Sequence, residues 1–331
     1  MPRPPEVLYL SRAEVESLGL AMGEIIERLE AAFRERGLGR AEMPPKPGIR
    51  PGPPANDNFI HAMPACIPSL GAAGMKWISG YPGNPRRGLP YISGLLILND
   101  PETGLPVAVM DATWITATRT AAATAVAVRR LARPDAASFG ILGCGVQGRS
   151  NLQAAAEVLP SLAEVRAYDI EPEARARYVS EMQARIPRLR FVTAPTPRAA
   201  VEGTDVVVTA GPIRARPRPS IEAAWLGEGA LAVALDYDSY LTPEAMRAAD
   251  RFYTDDTRQI LHTRAEGVHF KDIPDIYADL GEVVAGLKDG RRSPRERLVC
   301  VNLGLALEDM ATATLVLRRA RERGLGARLP L

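Results

Sequence analysis

The sequence predicts an α/β protein, and three observations along the chain support that prediction. Roughly the first third carries β-like runs separated by turn residues, which is typical of an antiparallel sheet. From residue 138 onwards, short apolar runs alternate with helical patterns, and this alternation specifies a parallel sheet flanked by helices. The chain then closes on a long helical pattern. A chain of 331 residues is long enough for two domains of ordinary size.

The composition is that of a globular protein with full cores, at 46% hydrophobic and 24% charged residues. No apolar run has the length that spans a bilayer, and the N-terminus MPRPPEVLYL lacks the apolar segment of a signal peptide, so we expect no membrane association. A net charge of +2 gives no general basic field, which argues against a nucleic-acid partner. Cys66, Cys144 and Cys300 are widely scattered and lack metal-type spacing. We therefore expect a reduced, cytoplasmic protein with no disulfide and no metal site.

The elements of the first region follow from local patterns. EVLYL is a strand candidate, and Ser11 with Glu14 forms a capping-box pattern that predicts one helix continuing through IIERLEAAFRER. Residues 41–58 are rich in Pro and Gly and predict a long loop, of the kind that is often functional. Four β-like runs follow, and the last two are joined by PETG in a hairpin: FIHAMPACI, GMKWISGY, YISGLLILND and LPVAVMD.

The middle of the chain has a different pattern of predicted secondary structure. TRTAAATAVAVRRLA is a strong helix former and leads into alternating strands and helices. The predicted strands are SFGILG, EVRAYD, RFVTA, DVVVTAG and ALAVALD. The predicted helices between the first three of these strands are VQGRSNLQAAAEVL and PEARARYVSEMQARI. A final helix covers LGLALEDMATATLVLRRARER, where apolar positions recur at helical spacing.

The stretch GILGCGVQGRSN predicts a dinucleotide-binding turn, because it follows a strand and opens a helix inside a βαβ unit. Gly143 permits the tight turn, Gly145 lets a pyrophosphate approach the backbone, and Gly148 lets helix and strand pack closely. The helix N-terminus supplies free N–H groups for the phosphates. Asp169 ends the next strand, about twenty residues beyond the last glycine, where an acid meets the ribose hydroxyls. A carboxylate there repels a 2′-phosphate, so NAD is favoured as the cofactor, with NADP possible.

The chain resembles the ornithine cyclodeaminase/mu-crystallin family over almost its whole length. The resemblance is carried by MKWISGYPGN, GLPYISGLLILNDPETGLPVAVMD, ITATRTAAATAVA, GILGCGVQG, ADLGEVVAGLKDGR and VNLGLALEDM. It implies a Rossmann dinucleotide-binding domain, residues 121–307, inserted into an α+β substrate-binding and dimerisation domain made of residues 1–120 and 308–331. It also implies a homodimer, and hydride transfer at the α-carbon of an amino or imino acid.

Three residues match the family's catalytic positions. Lys76 in MKWISG matches the lysine that binds the substrate carboxylate and can assist proton transfer, and lysine is scarce in this arginine-rich chain. Arg119 in TATRTA matches an arginine whose guanidinium can hold the carboxylate by a bidentate pair. Asp236 matches the acidic group that exchanges a proton with the substrate nitrogen. Asp238 is the alternative for that role.

Two further positions bear on the substrate. Lys46 falls where relatives commonly carry a second carboxylate-binding arginine, and lysine keeps the charge but loses the fork. His61 in FIHAMP stands where ornithine-cyclising members carry a glutamate that holds the distal amine, and a histidine cannot supply that anion. His61 could recognise a different side chain, or it could be a satisfied core histidine.

Beyond the three glycines and Asp169, five residues match positions that line the dinucleotide in relatives: Val146, Gln147, Thr209, Ala210 and Asn302, the last standing where a serine is usual. The sequence thus predicts an oxidoreductase acting on a small amino or imino acid, as an imine (ketimine) reductase or an amino acid dehydrogenase. One alternative is an ornithine or lysine cyclodeaminase that releases ammonia. An alternative of another class is a non-catalytic protein that binds a small ligand together with a dinucleotide.

Overall fold

The computed structural model describes residues 5–53, 56–214 and 216–331. The chain forms two compact units. We call Met1–Arg119 with Leu305–Leu331 the terminal unit, and Thr120–Gly304 the central unit. Residues 54 and 55 of the predicted 41–58 loop, and the first four residues of the N-terminal stretch, lie outside the described residues.

Strands and helices alternate along the central part of the chain as the sequence predicts. The strands are β1 (Glu6–Leu10), β2 (Gly48–Ile49), β3 (Phe59–Ile67), β4 (Ala72–Gly80), β5 (Ile92–Asn99), β6 (Pro106–Asp111), β7 (Ser138–Leu142), β8 (Glu164–Tyr168), β9 (Arg190–Thr193), β10 (Val206–Thr209), β11 (Leu231–Ala234), β12 (Arg251–Thr254), β13 (Ile276–Asp279), β14 (Leu298–Val301) and β15 (Ala327–Pro330). The α-helices are α1 (Arg12–Ser17), α2 (Met22–Gly37), α3 (Thr113–Leu131), α4 (Val146–Val158), α5 (Pro172–Arg185), α6 (Pro197–Val201), α7 (Pro243–Arg247), α8 (Thr257–Ala265), α9 (Leu280–Val284) and α10 (Ala306–Arg323).

The terminal unit is built on a seven-stranded sheet with the order β15-β1-β6-β5-β4-β3-β2. Its pairs are antiparallel except β1 with β6. Helix α10 packs on one face of β3, β4 and β5, and α2 packs against α10. Met63 and Lys76 are register partners on this covered face, and both are buried. Because side chains alternate across a strand, this register determines which residues face α10.

Two local predictions in the terminal unit need correction. Ser11 and Glu14 do form the capping box, but the predicted single helix is two helices, α1 and α2. The chain turns at Gly19, whose φ of +60° is the left-handed conformation that glycine adopts without strain. The C-terminal strand β15 was not predicted, and it pairs with β1 at the edge of the sheet.

The central unit is a doubly wound parallel sheet of eight strands with the order β13-β12-β14-β11-β10-β7-β8-β9. From β7 the chain proceeds outward to β8 and β9, then returns to β10 on the other side of β7. This reversal is the topological switch point at which such sheets bind ligands, beyond the carboxyl ends of the strands. The arrangement confirms the predicted fold class. Strands β12, β13 and β14 were not predicted from the sequence.

Candidate functional site

The glycine turn joins β7 to α4 at the switch point. Gly143 has a φ of +104°, and a Cβ added there meets the carbonyl oxygen of Ala210 at 2.5 Å. A Cβ at Gly148 collides with the carbonyl oxygen of Gly143. Gly145 differs, because a Cβ added there meets no packed atom of the described residues within 4 Å. Protein packing therefore accounts for Gly143 and Gly148, whereas the bare backbone at Gly145 leaves room for a ligand to approach the turn.

Helix α4 begins directly after this turn, with Gly145 as its N-cap. Glycine has no side chain to accept the first N–H groups, so these donors remain for an anion. Val146 presents its side chain to solvent, at 67% exposure, although it is apolar. Gln147 lies one residue further on and accepts hydrogen bonds from Asn151 Nδ2, at 2.8 Å through its carbonyl and at 3.1 Å through Oε1. The residues present fit a dinucleotide phosphate group.

Asp169 follows β8, the strand next to β7. Its Oδ2 accepts the backbone N–H of Cys144 at 2.8 Å, and its Oδ1 accepts that of Glu171 at 3.1 Å. These bonds hold the carboxylate against the glycine turn. This is the location at which an acid in such a fold accepts hydrogen bonds from the hydroxyls of a bound ribose.

Asp236 lies two residues beyond β11, on the carboxyl edge of the sheet. Its carboxyl group is fully buried. It accepts a hydrogen bond from the hydroxyl of Thr209 at 2.7 Å and another from the backbone N–H of Gly211 at 2.9 Å. Burial raises the pKa of Asp236 to about 7, against the effect of these two hydrogen bonds. A carboxyl group with that pKa can both donate and accept a proton near neutral pH.

Asp238 has a different environment. His269 Nδ1 lies 2.6 Å from its Oδ1, and the backbone N–H of Phe270 donates to its Oδ2 at 2.8 Å. Burial opposes ionisation of Asp238, but these hydrogen bonds prevail and lower its pKa. Between the two aspartates, Tyr237 adopts a φ of +61°, a strained conformation for a residue with a side chain. This backbone turn gives Asp236 and Asp238 separate surroundings, and only Asp236 has a raised pKa.

Thr209 ends β10 and Ala210 directly follows it, just as Asn302 directly follows β14. Asn302 is buried, and its backbone N–H donates to the carbonyl oxygen of Ala234 at 2.9 Å. Its side-chain Oδ1 accepts from the Cys300 thiol at 3.3 Å, while its Nδ2 has no hydrogen-bond partner among the described residues. A buried amide donor without a partner is costly, so Asn302 has a hydrogen bond to offer to a ligand.

The terminal unit contains a group of four buried charged residues, which we call the buried charge cluster: Lys76, Arg119, Glu308 and Asp309. Lys76 Nζ lies 2.8 Å from Asp309 Oδ1 and 2.7 Å from Oδ2. Arg119 donates through Nε to Asp309 Oδ1 at 2.9 Å and through Nη1 to Glu308 Oε2 at 2.6 Å. Burial, followed by repulsion from Arg119, lowers the pKa of Lys76 to about 7. The two predicted substrate-binding cations thus lie side by side, joined by Asp309.

Glu308 and Asp309 were not singled out from the sequence. The signal was present in LALEDMATATLVL, where two adjacent acids interrupt an otherwise apolar and small-residue helix. In a helix that is hydrophobic on all sides, charged residues must be paired in the interior. Both acids lie in the first turn of α10, where the helix dipole also favours negative charge.

His61 lies on β3, on the same sheet face as Met63. Its ring stacks on Phe59, with centroids 4.6 Å apart, and its register partner on β4 is Ile78. Burial, together with the positive charges of Lys46, Lys76 and Arg50, lowers the pKa of His61 to about 3. His61 is therefore uncharged at neutral pH. It offers a neutral ring where a glutamate would offer a negative charge.

Within residues 5–53, 56–214 and 216–331, no three His, Cys, Asp or Glu side chains form a group that could hold a metal ion. In that same part of the chain, no helix combines the length and apolar character needed to cross a membrane.

Comparison with known proteins places these features in a family. The model of the ornithine cyclodeaminase/mu-crystallin family matches residues 6–324. An alanine dehydrogenase of Archaeoglobus fulgidus is 37% identical over 332 residues, covering 98% of both chains. Among solved structures, Δ1-pyrroline-2-carboxylate reductase of Thermococcus litoralis, in complex with NADH and L-proline, has 34% identity and a TM-score of 0.86, covering 98% of this chain and 100% of that one. An archaeal alanine dehydrogenase dimer with bound NAD has 36% identity and a TM-score of 0.86, covering 99% and 100%.

Proposed function

Because the chain belongs to the ornithine cyclodeaminase/mu-crystallin family, we propose that it is an NAD(P)-dependent oxidoreductase acting at the α-carbon of a small amino or imino acid. The observation that carries this proposal is the fully buried Asp236, whose pKa is about 7, at the carboxyl edge of a sheet with a dinucleotide turn. A protein that only binds its ligand has no use for a proton donor of this kind.

A bound nicotinamide dinucleotide supplies the hydride or receives it. We assign its binding to the glycine turn, Asp169 and Asn302, with the remaining contacts from Val146, Gln147, Thr209 and Ala210. Open space at Gly145 and the unpartnered Nδ2 of Asn302 support the assignment. Asp169 holds the ribose hydroxyls, and its negative charge disfavours a 2′-phosphate.

Lys76 and Arg119 bind the substrate carboxylate in this proposal, and Lys46 adds a third positive charge. The planar guanidinium of Arg119 can hold a carboxylate by two parallel hydrogen bonds and so orient the α-carbon. Asp236, when protonated, gives its proton to the substrate nitrogen during reduction. In the oxidative direction its carboxylate takes the proton back.

We propose a substrate whose side chain carries no positive charge. His61 is neutral and surrounded by the charges of Lys46, Lys76 and Arg50, so it offers nothing to an ornithine ammonium group. The similar proteins named for alanine and for pyrroline-2-carboxylate act on compounds with small side chains or rings. This chemistry disfavours the cyclodeaminase alternative.

The test is a screen that follows NADH absorbance. L-Alanine and L-proline are offered with NAD⁺ or NADP⁺, and pyruvate with ammonia or pyrroline-2-carboxylate with NADH or NADPH. Net cofactor turnover with one of these compounds is the expected result. Ammonia released from ornithine without net cofactor turnover would establish a cyclodeaminase instead. Tight NADH binding with no turnover of any compound would support the alternative of a non-catalytic binding protein.

Replacing Asp169 with asparagine should weaken the preference for NAD⁺. The asparagine carbonyl can still accept from Cys144 N–H, but the charge that repels a 2′-phosphate is gone. We expect the ratio of kcat/KM for NAD⁺ over NADP⁺ to fall about tenfold or more. Glu171→Gln, on the same loop, is the control and should leave the ratio unchanged. An unaltered ratio in Asp169→Asn would remove Asp169 from cofactor selection.

We also propose that the enzyme is a homodimer and acts in the cytoplasm. The uncovered face of the terminal sheet carries an apolar row across three strands, Ala62, Trp77 and Leu95, which are register partners. Trp77 and Leu95 are each 45% exposed, and the similar archaeal alanine dehydrogenase is a dimer. An exposed apolar patch of this kind is typical of a protein interface. The three cysteines form no disulfide, which suits a reducing compartment.

Charges placed in this row should disrupt the dimer. We expect the double variant Trp77→Lys with Leu95→Lys to be monomeric, because lysine ammonium groups cannot be buried against a second apolar sheet. Light scattering after size-exclusion chromatography measures the mass. Leu261→Lys, at a similarly exposed leucine on α8, is the control and should remain dimeric. If the double variant is still a dimer, this face of the sheet is not the dimer interface.

A further inference from the structure

The buried charge cluster has a charge balance that a substrate must disturb. Lys76 and Arg119 are matched by Glu308 and Asp309, and all four side chains are shielded from solvent. A substrate carboxylate brings a third negative charge to two cations. An uncompensated charge in such an interior is strongly unfavourable, and protonation of one of the three carboxylates removes it.

Glu308 is the more weakly held of the two acids. Its Oε2 accepts from Arg119 Nη1 at 2.6 Å, but its Oε1 is buried and has no hydrogen-bond partner among the described residues. Asp309 contacts both cations, Lys76 and Arg119. Moreover, Nη1 is a terminal nitrogen of the guanidinium, and the terminal nitrogens belong to the fork that carboxylates bind. Glu308 therefore occupies a place that a substrate carboxylate needs.

We propose that Glu308 fills the Arg119 fork in the free enzyme and yields it to the substrate carboxylate while taking up one proton from solvent. This inference rests on the proposed function. The proton joins a carboxylate oxygen of Glu308, and no other bond is made or broken. Two cations, Asp309 and the substrate carboxylate then remain, so the charge balance of the cluster is preserved.

The charges around Glu308 are consistent with this exchange. Burial raises the pKa of Glu308 and Asp309 adds to that effect, whereas Arg119 and, to a smaller extent, the backbone of Leu305 oppose it. The other elements packed against α10 place few further charges near Glu308. On β4 the charged group is Lys76, and on β3 His61 is neutral. On α2, Arg28 contacts Thr314, and Glu24 contacts Arg318 and Arg319; these residues lie more than about one and a half turns beyond Glu308 along α10. Once a ligand takes Arg119, the main force that keeps Glu308 ionised is lost.

The exchange makes the affinity for a carboxylate depend on pH, and it fixes whether that affinity rises or falls with pH. Because the complex holds one more proton than the free enzyme, affinity falls as pH rises above the pKa of Glu308 in the free enzyme. The dissociation constant then increases by up to about tenfold per pH unit. A carboxylate that binds without proton uptake lacks this dependence.

The experiment is calorimetric titration of pyruvate into the NAD⁺-loaded enzyme. Both compounds are oxidised, so no hydride can move, and pyruvate has no amine to titrate. Repeating the titration in buffers of different ionisation enthalpy gives the number of protons taken up. We expect about one proton per bound pyruvate in the wild type. We expect almost none in Glu308→Gln, whose pyruvate affinity should be nearly independent of pH. Glu322→Gln, at an exposed glutamate of the same helix, should behave as wild type.

Several results would overturn the proposal. These are wild-type binding without proton uptake, uptake that persists in Glu308→Gln, and uptake that disappears in Asp236→Asn. The second would point to Lys76 and the third to Asp236. Absence of pyruvate binding also overturns it, while turnover in the absorbance screen then decides the proposed function separately. If Glu308→Gln does not fold, infrared difference spectra of the wild type must show a new protonated carboxyl band on pyruvate binding.

Discussion

Asparagine at position 236 is expected to abolish most turnover while leaving NADH binding intact. An amide cannot exchange a proton with the substrate nitrogen, and loss of a general acid typically costs about 10²–10⁴-fold in rate. The local structure should survive. The Asn Oδ1 can accept from Gly211 N–H, and its Nδ2 can donate to the Thr209 hydroxyl, which accepts as readily as it donates. The measurements are kcat in both directions and NADH affinity by fluorescence.

Because the pKa of Asp236 is about 7, kcat of the wild type should change with pH near neutrality, in opposite senses for reduction and for oxidation. Reduction needs protonated Asp236, so its kcat should fall as pH rises through about 7. Oxidation needs the carboxylate, so its kcat should rise over the same interval. Both slopes should vanish from the residual activity of Asp236→Asn.

The same substitution should stabilise the fold at alkaline pH. The folded-state pKa of Asp236 lies above its ordinary value of 3.8, so its contribution to stability is present at low pH and is lost as pH rises through about 7. Above that pH the buried carboxylate costs up to about 4 kcal/mol, and the neutral amide avoids this cost. Urea denaturation should therefore show a gain for Asp236→Asn at alkaline pH and little gain in acid.

Asp238→Asn is the comparison that can contradict this assignment. Asp238 accepts from His269 and Phe270, and its lowered pKa suits a structural anion. We expect Asp238→Asn to lose stability yet retain measurable turnover. If Asp238→Asn abolishes turnover and Asp236→Asn does not, the proton donor is Asp238.

Much of the fold could be predicted because its signals are local. The glycine turn, the alternation of strands and helices, and the hairpin at PETG each lie within a few neighbouring residues. Strands β12, β13 and β14 escaped prediction although they are as long as the predicted β9, β10 and β11, at four residues each. The helices that precede them, α7, α8 and α9, have only five, nine and five residues, so no helical period long enough to recognise develops between these strands. The division into α1 and α2 depends on the φ of Gly19, which helix propensity does not reveal.

The candidate site shows the same limit. A motif can suggest Lys76 and Arg119 individually, but their common partner Asp309 lies 233 and 190 residues away along the chain. Only the packing of α10 on the terminal sheet brings these groups together. The distinction between Asp236 and Asp238 is also tertiary, since it depends on His269 and on the backbone turn at Tyr237. Spacing along the chain carries no information about either environment.

Removing the charge of Arg119 should have the largest effect on stability. In Arg119→Met, Glu308 loses the guanidinium that donates to its Oε2, and Lys76 is the cation that remains beside Asp309, so two buried carboxylates share one cation. Breaking a buried ion pair by removing one partner costs about 3–5 kcal/mol. Substrate binding loses its guanidinium fork at the same time, and we expect kcat/KM to fall about a hundredfold or more. Urea denaturation and steady-state kinetics measure the two effects.

The stability loss of Arg119→Met should depend on pH. Arg119 is the main group that lowers the pKa of buried Glu308, so the pKa of Glu308 rises further when Arg119 is removed. A folded-state pKa above the unfolded value gives stability that is present in acid and lost as pH rises through that pKa. The variant should thus approach the wild type in acid and fall furthest behind at alkaline pH. Arg119→Lys is the matched control: it keeps the charge and most of the stability but, lacking the fork, still binds substrate poorly. A loss equal at all pH values would show that Glu308 does not depend on Arg119 for its charge.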